Sequence, residues 1–184
     1  FHSDNGGIES VGNPYISTVP PSPLNSENDP LRGQKGQLYE GGIRVCAFAN
    51  APSRLKPAKS EVVMHAVDWF PTLLAVAGAK TPDQWSGDGM NVWPWITGEQ
   101  QELPQRTIYW GYTGGNRALR HGPWKMIQNG KGKNELYKLD DDPYEKNDLA
   151  AKMPERVEQL EKLPQAERAQ DVTVLPEDLK GLPK

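Results

Sequence analysis

The chain has 184 residues, enough for one ordinary domain or one and a half small ones, and its net charge of −3 without a basic stripe gives nucleic-acid binding little support. Apolar residues make up only 36% beside 18 Gly and 17 Pro, which suits a loop-rich protein or one whose core is partly supplied by other sequence. The most apolar stretch, Val62 to Ala79, carries His65, Asp68 and Pro71 and is too polar to span a membrane, and the single cysteine, Cys46, cannot form an internal disulfide.

Phe1 to Ser3 reads as the end of a strand, broken by Asn5-Gly6-Gly7. Ligands of open α/β sheets gather at the carboxyl ends of strands. Asp4 and Asn5 there offer two adjacent hard oxygen donors, the kind that calcium or magnesium takes. Each of these residues also favours turns, so a plain turn is the alternative. His2 is read as a strand residue, with a substrate contact as its alternative. Residues 8–30 are rich in Pro, Ser and Asn and read as a long loop, either a pocket rim or a surface excursion. Then comes Leu31 to Val45, LRGQKGQLYEGGIRV. Lys35 is a compact cation on a flexible stem, suited to a sulfate or phosphate oxyanion. The glycines around it allow sharp turns and close backbone approach. Arg32 and Arg44 are read as structural, with anion contact as the alternative, and Glu40 as a partner for nearby backbone or an arginine.

The pair SDNGG and LRGQKGQLYEGGIRV resembles the calcium-dependent sulfatases of the alkaline-phosphatase-like superfamily. The four letters SDNG are a weak signal; Lys-Gly-x-x-x-Glu-Gly-Gly-x-Arg about thirty residues later is a strong one. The resemblance implies an α/β fold: part of an alkaline-phosphatase-like sheet with flanking helices, plus a small C-terminal antiparallel sheet packed on a helix. It implies that Asp4 and Asn5 complete a calcium site, with magnesium as the alternative, and that Lys35 contacts the substrate sulfate, in both a binding and a catalytic role. The family nucleophile is a formylglycine made from the first residue of Cys/Ser-x-Pro-x-Arg. This sequence has no such motif, so the formylglycine and two further metal-binding aspartates are expected upstream. The expected protein is therefore the C-terminal part of a sulfatase, inactive alone. Its expected partners are a sulfated small molecule or carbohydrate and the N-terminal sulfatase half, or a second copy. A periplasmic, extracellular or lysosomal location is implied by the same resemblance. A phosphodiesterase or phosphonate hydrolase of the superfamily, and a non-catalytic carbohydrate-binding remnant, are the alternatives.

Val45 to Ala51 is short, apolar and bounded by Pro52, and reads as a buried strand with Cys46 as a small hydrophobe inside it. Asp68 is expected to cap a helix over Trp69 to Ala77, with Pro71 in its first turn, Gly78 as terminator, and Phe70, Leu73, Leu74 and Ala77 on a core-facing stripe. VDWFPTLLAVAG is similar to a sulfatase helix that lies on the main sheet. His65 is read as structural. Asp83 to Gly98 reads as a turn and short helix; its Trp85, Trp93 and Trp95 suit packing, with a sugar-stacking platform as the alternative.

The polar stretch Glu99 to Arg106 marks a boundary, giving units of 1–103, 104–163 and an extended tail, 164–184. Thr107 to Tyr112, Arg117 to His121, Trp124 to Gln128 and Glu135 to Leu139 predict an antiparallel meander. Arg120-His121-Gly122-Pro123-Trp124-Lys125 is similar to a family Arg-x-Gly-x-x-Lys signature, which makes Arg120 and His121 candidate substrate contacts. Asp140-Asp141-Asp142-Pro143 lacks the alternating ligands of a calcium loop and reads as an Asx-capped acidic turn. The run from Leu136 to Leu149 is again similar to sulfatases, at their C-terminal subdomain. Pro154 to Leu163 predicts a helix burying Val157 and Leu160 on the sheet.

Overall fold

A computed structural model describes residues 1–8, 26–80, 87–102 and 104–163. Most of the proline-rich loop, Trp85 and the expected tail from Pro164 lie outside the described residues. Four helical segments are α1 (Glu40–Ile43), α2 (Trp69–Val76), α3 (Trp93–Ile96) and α4 (Pro154–Lys162), with a 3₁₀ turn, Ala66–Asp68, leading into α2. Four strands, β1 (Thr107–Gly111), β2 (Arg117–His121), β3 (Trp124–Gln128) and β4 (Asn134–Lys138), pair in chain order as an antiparallel meander.

The meander forms because its short strands, buried on both faces at their centres, are linked by turns. β2 and β3 are joined by Gly122-Pro123 with Gly122 at positive φ, and β3 and β4 by the Asn129–Lys133 loop. The register sets Leu119 opposite Met126, and Met126 opposite Leu136. These three, with Leu160 of α4, form one buried cluster, and Val157 packs against it. Pro154 at the first helical position starts α4 without losing a needed N–H. On the opposite face lie Ala118, Ile127 and Tyr137, which pack with Leu38 and Leu139. That second face carries the segment around Lys35 and α1. Asp142 closes a wider loop than an Asx turn at the end of the sheet region: the Lys146 and Asn147 amides, four and five residues on, donate to its carboxylate at 3.1 and 2.7 Å.

The first half of the chain departs from expectation in three ways. Cys46 is exposed, and the stretch around it forms a single bridge, His2 to Ala47, instead of a buried strand. The described residues pair it on one side only, through Phe1 to Ser3, and leave Cys46 to Asn50 exposed. The stripe of α2 is likewise open: Phe70 is 47% and Leu73 57% exposed, while Pro71 and Thr72 on the other side are buried. Among the described residues no sheet meets that stripe. Third, Asp68 does not cap α2 but works one turn earlier. Its Oδ2 accepts from the His65 amide at 2.6 Å, and the His65 ring in turn accepts from the Val67 amide at 3.4 Å. Asp68 is wholly buried, and it also accepts from the Met90 amide (3.0 Å) and from Arg106 Nη1 (2.7 Å). It thereby ties α2, the Gly89 turn and the start of β1 together. Gly78 does end α2, at φ 71°.

Candidate functional site

Asp4 and Lys35 open onto one cavity of about 1890 Å³, which Asn5, His2, Arg44 and Arg120 also line. Backbone bonds fix the spacing of its two main segments. The Lys35 amide donates to Gly7 O at 3.0 Å, and the Gly6 amide to Gly42 O at 3.0 Å. A side chain cannot fit between these turns: a Cβ on Gly6 would collide with the Gly41 carbonyl. The Asn28 side chain closes the loop by bonding both ways to Gly7, donating to its carbonyl (3.0 Å) and accepting from its amide (2.8 Å).

Asp4 and Lys35 make no side-chain hydrogen bond or ion pair among the described residues, and both are exposed to the cavity. The Asn5 amide nitrogen donates to Gly6 O at 2.8 Å, which leaves its Oδ1 free to accept or ligate. A carboxylate and an amide oxygen without a competing partner among the described residues match the hard-oxygen preference of calcium or magnesium. They would fill two positions of a shell that in calcium takes roughly six to eight oxygens.

The second pair of sequence candidates separates. Arg120 lines the cavity, held at its Nε by donating to Gly122 O at 3.1 Å. Burial pushes its guanidinium below the ordinary arginine range. His121 is not brought there. As the next residue of a strand it points to the other face, where its ring lies 2.9 Å from Thr107 Oγ1 and 3.1 Å from Gln105 Nε2. His2 reaches the cavity and sets its ring edge-on to Trp69, with ring centroids 6.3 Å apart. His65 also lines it; burial holds its imidazole below the ordinary histidine value despite the neighbouring Asp68 carboxylate.

Arg32 and Glu40 are structural, with Glu40 held differently from the sequence reading. Arg32 lies flat over Tyr39, 3.8 Å from the ring centroid, and donates to Tyr137 Oη (2.8 Å) and Glu145 O (3.0 Å). Glu40 has Arg44 only at 4.0 Å; its main partner is Lys125, whose Nζ donates to Oε1 at 2.8 Å. Lys125 Nζ also sits 2.7 Å from Glu145 Oε1, and the Glu40 amide donates to Glu145 Oε2 at 2.7 Å. All three side chains are buried, Lys125 completely. Burial outweighs the Lys125 charge at Glu145 and pushes its carboxyl above the ordinary range. The sequence carried one sign of this triad: a lysine between Trp124 and Met126-Ile127 in a strand flanked on both sides. Glu145, held at φ 54° beyond the acidic turn, gave none.

Comparison with known proteins bears on which family builds such a cavity. Residues 34–170 match the family described as N-sulphoglucosamine sulphohydrolase, C-terminal. The chain belongs to that family. It is thus the C-terminal portion of a sulfatase-type protein of the alkaline-phosphatase-like superfamily, and the match begins at the residue before Lys35, leaving Asp4 and Asn5 outside it. A protein of Formosa agariphila named "Sulfatase" is 31% identical over 144 residues, covering 76% of this chain and 23% of that protein. Mouse arylsulfatase J is 26% identical over 210 residues, covering 87% of this chain and 33% of its own. The solved structure of Ps i-CgsB in complex with k-i-k-neocarrahexaose superposes with a TM-score of 0.74 at 26% identity, over 91% of this chain and 35% of that one. This sulfatase C-terminal chain thus spans about a quarter of the first of these two relatives and a third of the second.

Proposed function

We propose that the chain supplies the C-terminal part of a sulfatase that hydrolyses sulfate esters, with Lys35 gripping the substrate sulfate and Asp4 and Asn5 holding part of a divalent-cation site. The observation that carries the reading is the shared cavity: Asp4, Asn5 and Lys35 line it together, their segments joined by the Lys35 amide bond to Gly7 O at 3.0 Å. A tetrahedral sulfate ester develops charge on its sulfuryl and leaving oxygens as it breaks. A bound calcium ion, or magnesium, would act as a Lewis acid on one of those oxygens. Lys35, whose flexible ammonium has no side-chain partner among the described residues, lies along the same cavity and neutralises charge on the others. Asp4 and Asn5 orient the cation side of the anion, and the Gly6–Gly42 bond keeps that side in register with Lys35. Arg120 at the cavity wall suits a substrate contact, as does a sulfated carbohydrate as the substrate; Ps i-CgsB is itself solved with an oligosaccharide.

We further infer three units, 1–103, 104–163 and 164–184, and that the chain by itself does not turn over sulfate esters, because no Cys/Ser-x-Pro-x-Arg motif occurs in it. The formylglycine nucleophile and the remaining metal ligands would come from the N-terminal half of the enzyme. In the full-length enzyme, Lys35→Ala lowers turnover of 4-nitrophenyl sulfate by roughly 10²–10³, and EDTA removes activity that calcium restores. An unchanged rate in Lys35→Ala takes that lysine out of the site. EDTA-resistant release of 4-nitrophenol by the purified 184-residue chain would overturn the inactivity of the chain alone.

A further inference from the structure

We infer that Lys125, acting through Glu40 and Glu145, is the positioning residue that fixes the Lys35 turn on the C-terminal sheet. The inference rests on the reading above that Lys35 grips the sulfate. Lys125 rises from β3 on the face that meets the Lys35 segment, directly opposite Arg120 in the β2–β3 register. Its ammonium, completely buried, bridges two carboxylates at 2.8 and 2.7 Å. One belongs to Glu40, five residues beyond Lys35. The other belongs to Glu145, whose second oxygen takes the Glu40 amide at 2.7 Å. Both the backbone and the side chain of Glu40 are therefore held from the sheet.

From that anchor the constraint runs back to the cavity through bonded backbone. The Gly41 amide donates to Arg32 O at 2.7 Å, and the Gly42 carbonyl accepts from Gly6. Arg32 itself is pinned to Glu145 O and Tyr137 Oη. Lys35 lies inside the loop so closed. Arg32, Arg44 and Arg120 are the other cations near this cluster among the described residues, and none replaces Lys125: Arg32 bonds the Glu145 backbone carbonyl and not its carboxylate, Arg44 stands 4.0 Å from Glu40, and the Arg120 side chain bonds Gly122 O. A buried ion cluster is weak evidence for stability but a good device for holding one arrangement. Misplacing a binding group by about 1 Å can cost on the order of 10² in rate.

The test is a double-mutant cycle in the full-length enzyme with 4-nitrophenyl sulfate. Glu145→Gln keeps the Lys125–Glu40 pair and an acceptor for the Glu40 amide, so it perturbs the cluster without stranding a charge. We expect it to lower kcat about 10-fold or more in the wild-type background and less than about 2-fold when Lys35 is already alanine. Lys125→Met should show the same non-additivity with a larger single effect. Hydrogen–deuterium exchange of the same proteins should rise about 10-fold at Glu40 to Gly42 and stay unchanged over β2 and β3. Additive effects in the cycle, unchanged exchange at Glu40 to Gly42, or an equal rise over the sheet in Glu145→Gln would each overturn the positioning role. If the full-length wild type does not hydrolyse sulfate esters at all, the sulfatase reading fails, and the exchange measurement alone still decides whether Lys125 holds the Lys35 turn.

Discussion

Two helices of this chain make opposite use of apolar sequence. α2 is WFPTLLAV, yet Phe70 and Leu73 on its stripe stand open to solvent. α4 is the far more polar PERVEQLEK, yet its Leu160 is 1% exposed beneath β2, β3 and β4. The difference lies in what each helix meets. α4 follows a four-stranded sheet that offers Leu119, Met126 and Leu136 in register, so its short stripe is covered at once. The region from Phe1 to Gly98 offers its helix no such face among the described residues. It is held instead by buried polar ties, at Asp68 and at the Glu40–Lys125–Glu145 cluster. Periodicity says which side of a helix wants burial; a second surface decides whether burial happens.

Substitutions divide along that line. Lys125→Met leaves the Glu40 and Glu145 carboxylates buried together with only Arg44, 4.0 Å from Glu40, as a counter-charge, and should cost about 3–5 kcal/mol of stability, the typical penalty for breaking a buried pair. Leu136→Ala, in the completed core, should cost about 2–5 kcal/mol. Leu73→Ala, on the open stripe, should stay within about 0.5 kcal/mol. Urea unfolding of the three proteins measures all of this, and a Leu73→Ala cost equal to that of Leu136→Ala would erase the contrast. The smallest effect concerns pH. Burial depresses the His65 pKa in the folded chain, so the unfolded chain binds the proton first. The neutral ring's contribution is therefore full above the ordinary value of 6.5 and is lost as pH falls through it toward the folded value. Melting of wild type and His65→Gln at pH 8 and pH 5 should show a smaller acid loss in the variant.

The sheet was almost fully legible beforehand: four short strand-like runs and the turn composition between them, above all the Asn129–Lys133 loop, mark the strands to within a residue. Short-range signals suffice there because neighbours in sequence are neighbours in the sheet. Lys35, Asp4 and Asn5 were singled out from the sequence, and the backbone bonds around Gly6 and Gly7 bring them to one cavity. What stayed hidden depended on distant partners. Nothing local reveals that Lys125 reaches Glu40 across 85 residues, or that Arg106 reaches Asp68 across 38. Cys46 and the α2 stripe misled for the converse reason, since an apolar pattern states a demand and not its fulfilment.

The contact between Gly6 and Gly41, where peptide meets peptide with no side chain between, has a bearing on how such a cavity can diversify. Any new side chain at that seam would wedge the two turns apart, so the gap between the Asp4 and Lys35 ends is not adjustable by small steps. The segment from Leu55 to Val63 also lines the cavity and is exposed or half-buried throughout, so its side chains have more room to change in size and charge. If the proposed function holds, new substrate preferences should therefore arise by remodelling that segment while the end that carries Asp4 and Lys35 keeps one fixed span.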